Sequence, residues 1–261
     1  MRRRSDLGGT LRFAGEYCLS IGIFILFWQI YVSASNAPAY VLPAPGAVVS
    51  ELVALFAEGT VWPHLITTTL EVIVGFLIGA VMGMILGYLL VKVEFLKLTF
   101  MPYLVFAQTA PKIALVPLFV IWFGIGLVSK VVLIVSMVIF PVMSGMVLGI
   151  EAVPRDAGNL IRVLGGTKWQ MLTLVELPYS LPALFSSYKI GIVQAVIGAI
   201  VAEWMSGKQG LGYILTYASS TYDTTMLIAG IIVTIVVGIF TYELVGQLEN
   251  KLLYWHESKK Q

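Results

Sequence analysis

EAVPRDAGNLIRVLGGTKWQMLTLVELP, residues Glu151 to Pro178, is a polar interruption between strongly apolar segments. Its local signals predict a helix, a break and a second helix. Pro154 suits a helix start, where its missing N–H would have no partner anyway. Ala157, Leu160, Ile161 and Leu164 recur at helical spacing and predict one apolar face. Gly165 and Gly166 end that helix, because glycine takes the left-handed C-terminal conformation at little cost. Thr167 and Gln170 stand at capping-box spacing and open a second helix, expected to stop at Pro178. Two readings stay open on this pattern: a helical hairpin lying at the lipid headgroups, or a docking surface for another protein.

The rest of the composition restricts where such a hairpin can sit. The 261-residue chain is 59% hydrophobic and 11% charged, with a mean hydropathy of +0.93, which excludes a water-soluble fold. Apolar runs close to the ~20 residues that span a bilayer recur along it. Cys18 is the single cysteine, so no internal disulfide is possible. No second His, Cys or carboxylate stands at ligand spacing beside His64, so no metal site is expected. The basic residues form no stripe of the kind that binds nucleic acid.

In chain order, residues 1–16 carry Arg2, Arg3, Arg4 and Arg12 ahead of a first apolar span at 17–33. A cleaved signal peptide ending near Ala34-Ser35-Asn36-Ala37 is the alternative, but the run is long and ends in Trp28 and Tyr31, which suit a membrane interface. Residues 34–64 lack Lys and Arg, as an external segment should, and Val49, Leu52, Val53 and Phe56 predict a short amphipathic helix there. Residues 65–250 form the core. Within its first span Gly75, Gly79, Gly83 and Gly87 share one helix face, which predicts close helix packing or a surface on which helices slide. Lys92 and Lys97 mark a turn. Pro102, Pro111 and Pro117 predict that the segment 95–123 is kinked or broken, with Gln108, Thr109 and Lys112 beside the middle proline. A cation at that depth faces a cavity, pairs with a carboxylate such as Glu71 or Glu203, or snorkels. Further spans are expected near 128–150, 180–205 (with Lys189, Gln194 and Glu203) and 225–248, followed by the tail 251–261.

The hairpin is similar to the coupling loop of ABC importer permeases, whose signature is Glu-Ala-Ala, three residues, Gly, nine residues, then Ile-x-Leu-Pro. Gly165 and Val175-Glu176-Leu177-Pro178 keep the second half. The first half departs: Asn159-Leu160-Ile161 occupies the triplet, and Glu151-Ala152-Val153 lies eight residues too early. Pro111-Lys112-Ile113-Ala114-Leu115-Val116-Pro117-Leu118, with Trp122-Phe123-Gly124, resembles the nitrate/sulfonate/taurine-type permeases and the branch importing thiamine precursors and riboflavin. The resemblance runs from Leu42 onward. It implies an all-α, six-span type I ABC importer permease fold in a bacterial plasma (inner) membrane, two permease copies, an ABC ATPase subunit and an extracytoplasmic solute-binding protein. It also implies that residues 151–178 dock on the ATPase, with Arg155, Asp156, Arg162, Leu160, Leu164, Gly165, Trp169 and Pro178 as contacts or shape-setters. Gln108, Thr109, Lys112, Gln194 and Glu203 would line the solute pathway.

Charge placement agrees with that topology. With both termini cytoplasmic, twelve basic residues fall inside and only Lys130 and Lys208 outside. No G-x-x-x-x-G-K-[ST] loop is present, so ATP must be used by a partner subunit and the chain is expected to bind no cofactor and to be no enzyme by itself. A secondary transporter or channel is the alternative; an internal repeat or paired intramembrane carboxylates would mark it, and neither stands out.

Overall fold

The computed structural model describes residues 5–35 and 37–254, and among these the ordered elements are all helical. In chain order they are α1 (Ser5–Ser35), α2 (Pro45–Ala57), α3 (Val61–Lys92), α4 (Glu94–Thr109), a 3-10 turn (Lys112–Leu115), α5 (Val116–Phe123), α6 (Leu127–Glu151), α7 (Arg155–Val163), α8 (Lys168–Met171), a π-helical turn (Leu172–Glu176), α9 (Leu177–Ser206), α10 (Leu211–Ser220) and α11 (Thr224–Leu252). Arg2, Arg3, Arg4, Lys259 and Lys260 lie outside the described residues, as do the side chains of Arg12 and Cys18.

Four helical stretches are long and apolar enough to cross a membrane: Val61–Lys92, Leu127–Glu151, Lys168–Met205 and Thr224–Leu252. A fifth is broken. Pro102–Thr109 and Lys112–Phe123 are bent by 84° at Pro111, which has no N–H to continue the ladder. In α1 the apolar part is the shorter stretch Leu19–Ser35.

Met1–Val61 with Ile214–Ile232 make one compact unit, and Trp62–Tyr213 with Val233–Gln261 the other. Within the first, α2 buries Val48 and Leu55. The apolar face expected from Val49, Val53 and Phe56 is exposed instead, which is what a helix lying on lipid presents. Burial, and next to it Asp223 and Glu58, push the Glu51 carboxyl above its ordinary range. The Thr224 hydroxyl donates to the Tyr40 carbonyl. α10 went unread in the sequence, although Leu211, Ile214, Leu215 and Ala218 follow helical spacing and are all buried.

Within the second unit α3, α6 and α9 pack in layers, with α6 in the middle. The glycines of α3 all meet α6. A methyl group on Gly79 would come within 2.7 Å of Val138 Cβ, on Gly83 within 2.8 Å of the Ile139 carbonyl oxygen, and on Gly87 within 2.6 Å of the Met143 carbonyl oxygen; Gly75 faces Ile134. Leu70, Leu77, Val81 and Ile85, on the other side of α3, are exposed. α6 repeats the device toward α9, where Gly145 lies against Ser187 and Gly149 against Ser180. Small residues let backbones approach, and in lipid such packing replaces the hydrophobic drive that water would supply. The core between these layers is Ile134, Val138, Val142, Met146, Leu184, Ile192, Ala195 and Ala199.

Pro178 does not end the second hairpin helix. Lys168–Met205 is one continuous rod. The proline ring would crowd the Leu174 carbonyl and cannot donate to it. The π turn absorbs this: the Leu177 N–H reaches back five residues to Leu172, so the ladder shifts register just ahead of the ring.

Candidate coupling hairpin and translocation cavity

The hairpin's shape is set by its turn. The Gly166 N–H donates to the Ile161 carbonyl and the Gly165 N–H to the Arg162 carbonyl, which is the Schellman closure of α7. Gly165 sits at φ +73°, and a methyl group on Gly166 would strike the Ile161 carbonyl oxygen at 2.9 Å, so both positions need glycine for different reasons. The capping box of α8 is present in both directions: the Thr167 N–H donates to Gln170 Oε1 (2.8 Å) and the Gln170 N–H to Thr167 Oγ1 (3.2 Å).

The expected apolar face of α7 divides. Ala157 and Ile161 are partly buried, whereas Leu160, Leu164 and Val163 stand out, Leu164 at 72% exposure and Trp169 beside them at 70%. Val163 was missed because it lies off the expected face. Arg155, Asp156 and Arg162 are also exposed. Four apolar side chains left in the open around one turn form a patch suited to a protein partner.

Both ends of the hairpin are tied to the α3–α4 turn by ion pairs. Lys97 Nζ lies 3.1 Å from Glu151 Oε1, and Lys92 pairs with the buried Glu176. The sequence reading used these lysines only as topology marks. Their partners lie 54 and 84 residues away, a separation that local pattern does not bridge.

Gln108, Lys112 and Gln194 come together. With Met137, Phe140, Pro141 and Ile190 they line a cavity of about 300 Å³ where the broken span meets α6 and α9. Lys112 Nζ donates to the Gln108 carbonyl (3.0 Å) and lies 4.7 Å from the centroid of the Phe140 ring. It pairs with no carboxylate among the described residues. Thr109 is not among the lining residues; its hydroxyl is spent on the Val105 and Phe106 carbonyls of its own helix. Gln108 also borders a second, largely apolar cavity of about 260 Å³ that reaches Lys97. Ile190 and Gln194 border a third that reaches Lys189, itself paired with Glu249.

Glu203 is not among the residues that line these cavities. It is 1% exposed, accepting from Thr68 Oγ1 (2.6 Å) and from the Gly212 N–H (2.7 Å). The Gly210-Leu211-Gly212 turn folds backbone directly over the carboxylate, and any side chain at Gly210 would overlap it. Lys130, expected outside, is also buried and pairs with Glu71 at 2.6 Å. His64 Nδ1 lies 3.1 Å from the Gly210 backbone, and its ring stacks on Tyr213. Among the described residues no three His, Cys, Asp or Glu side chains are grouped to hold a metal.

A broken span beside a polar cavity and a capped hairpin with an exposed apolar patch are the features this helical membrane fold presents. The chain belongs to the family of binding-protein-dependent transport system inner membrane components, whose profile matches residues 75–254. It is 31% identical to the riboflavin transport system permease protein RibX of Chloroflexus aurantiacus over 240 residues, covering 92% of this chain and 90% of that one. It is 32% identical to the formylaminopyrimidine transport permease protein ThiX of Halalkalibacterium halodurans, covering 91% and 94%. Its fold matches a chain of the MetNI methionine ABC transporter in an inward-facing conformation, with a TM-score of 0.66 over 75% of this chain and 98% of that one at 19% identity. The protein is thus an ABC transporter permease component, a multi-pass plasma-membrane protein that is not itself catalytic.

Proposed function

We propose that residues 151–178 carry the force of a separate ATPase subunit into the membrane, and that the Gln108–Lys112–Gln194 cavity is part of the solute pathway. The single observation that carries this is the hairpin itself: Leu160, Leu164 and Trp169 are exposed, while its two ends are held by Lys97 and Lys92. Desolvating the apolar patch supplies most of the docking energy, and Arg155, Asp156 and Arg162 at its rim set orientation.

In this reading α1, α3, the broken α4–α5 segment, α6, the α8–α9 rod and α11 are six spans with both termini in the cytoplasm. Two copies pair across the cavity side, and an external binding protein delivers the solute. The solute presents acceptor oxygens to Lys112 and to the amides of Gln108 and Gln194, as a small sulfonate-like anion and a carbonyl-bearing heterocycle both do. Helix movement driven by the ATPase opens the cavity to each side in turn.

Purification in mild detergent tests the docking. An ATPase should accompany the native chain and be lost from the Arg155→Glu/Arg162→Glu variant at equal yield. A native chain that purifies without an ATPase contradicts the reading.

A further inference from the structure

Glu176 occupies a position that docking does not explain. It lies in the π-helical turn, where an i→i+5 register locally replaces the α-helical one, a feature that recurs at functional sites. Its side chain is buried, and Lys92 engages Oε1. Oε2 is buried too and accepts no hydrogen bond among the described residues. A buried carboxylate oxygen left in this state is costly; Glu71 Oε2 shares it in the buried pair with Lys130, but Glu176 differs in having further cations within its cavity.

The same carboxylate borders a polar cavity of about 370 Å³ between the hairpin and the end of α3. Arg155 and Arg162 line the other side of that cavity, seven residues apart and so on one face of α7, with Gly158 and Asn159 between them. Neither guanidinium takes part in an ion pair among the described residues. One carboxylate therefore faces three cations, and in this conformation only Lys92 is bound.

We infer that Glu176 is a two-position latch: Lys92 holds it in the conformation described, and an arginine of α7 takes its free oxygen when the docked hairpin tilts toward α3. The cavity is the room through which α7 moves. Exchange of one charge-assisted partner for another gives the hairpin two discrete positions instead of a continuous range. Because Lys92 ends α3 and Lys97 lies in the first turns of α4, release of the latch transmits hairpin movement to the broken span. Glu176 is then a positioning residue acting through its neighbours, without touching the solute. The inference rests on the reading of 151–178 as the docking hairpin.

The test is a distance measurement on the permease–ATPase complex in nanodiscs, in a Cys18→Ser background with spin labels at Val93→Cys and at Ala157→Cys, which lies on α7 away from the exposed patch. The native complex should show two distances, one without nucleotide and one with ATP and vanadate. In Glu176→Gln, which weakens both pairings, the separation between the two should be lost and the distribution should broaden. The decisive variant is Lys92→Glu/Glu176→Lys. It rebuilds the resting pair with reversed charge but sets a lysine against Arg155 and Arg162. The latch requires that it fold, bind the ATPase and stay at the resting distance with ATP and vanadate. If Lys92 is the only partner Glu176 ever has, the swapped pair moves as the native complex does, and the latch is overturned. If no ATPase accompanies the unlabelled native chain, it is the docking reading that fails.

Discussion

The two ends of the α3–α6–α9 layer use the same residue types to opposite effect. At one end Glu71, Lys130 and Glu203 lie under the Gly210–Gly212 turn, sealed from solvent. At the other, 21 residues and roughly 32 Å further along α3, Lys92 and Lys97 reach to Glu176 and Glu151 with the lysine side chains one-third to one-half exposed, although Glu176 itself is buried. Paired charge in a dry interior is expensive to separate, whereas exposed pairs are screened and exchange readily. The sealed end joins three helices. If the proposed function holds, a force applied to the hairpin does work only against a part that stays fixed, and the sealed end is that part.

The largest effect is expected at the sealed end. Lys130→Met strands the Glu71 carboxylate and should cost about 3–5 kcal/mol, read as loss of folded protein on thermal unfolding in detergent. Adding Glu71→Met should recover most of it, because an apolar pair replaces a charged one. A mild single variant would mean that the clamp is wetter than its burial implies. Gly83→Ala comes next. Its methyl would press on the Ile139 carbonyl oxygen at 2.8 Å, and separating α3 from α6 should cost about 1–3 kcal/mol, measured the same way.

At the open end the expected losses are functional. A Cβ at Gly165 would meet no neighbour within 4 Å, yet φ is +73° there, so Gly165→Val is strained by its backbone. The left-handed conformation costs a β-branched residue about 1–2 kcal/mol, too little to unfold the chain but enough to swing α8 away from α7. Solute uptake should fall at normal expression, and unchanged uptake would show that the hairpin tolerates re-aiming. Lys97→Gln is the smallest. Its exposed pair is worth about 0–1 kcal/mol, so thermal stability should not move measurably. A large drop would erase the contrast between the two ends.

Much of the open end was legible in sequence because its signals are local. Gly165-Gly166 and the Thr167/Gln170 box state their own geometry, and the three prolines announced the broken span. The sealed end was not legible. Lys130 stands near a span terminus, where proximity to the end suggests exposure; burial is decided by the rotation of α6, which turns it toward Glu71 of α3. The resemblance placed Glu203 in the pathway, and no local pattern announces that the glycine turn after it folds back to donate from Gly212 while Thr68 of α3 donates from the other side. The continuation through Pro178 depended on a π turn, for which composition carries no distinct mark. The glycine stripe of α3 announced a close approach without naming α6 as its partner.

Whether energy enters through the hairpin, as proposed, is decided by uptake into liposomes. Vesicles would carry the permease, its co-purified ATPase and the cognate binding protein, with taurine and riboflavin each offered as radiolabelled probes. One probe should accumulate only when ATP reaches the hairpin side, and Leu164→Ala/Trp169→Ala should abolish accumulation while the permease remains folded. Accumulation of either probe by the permease alone, without an ATPase, would contradict the proposal.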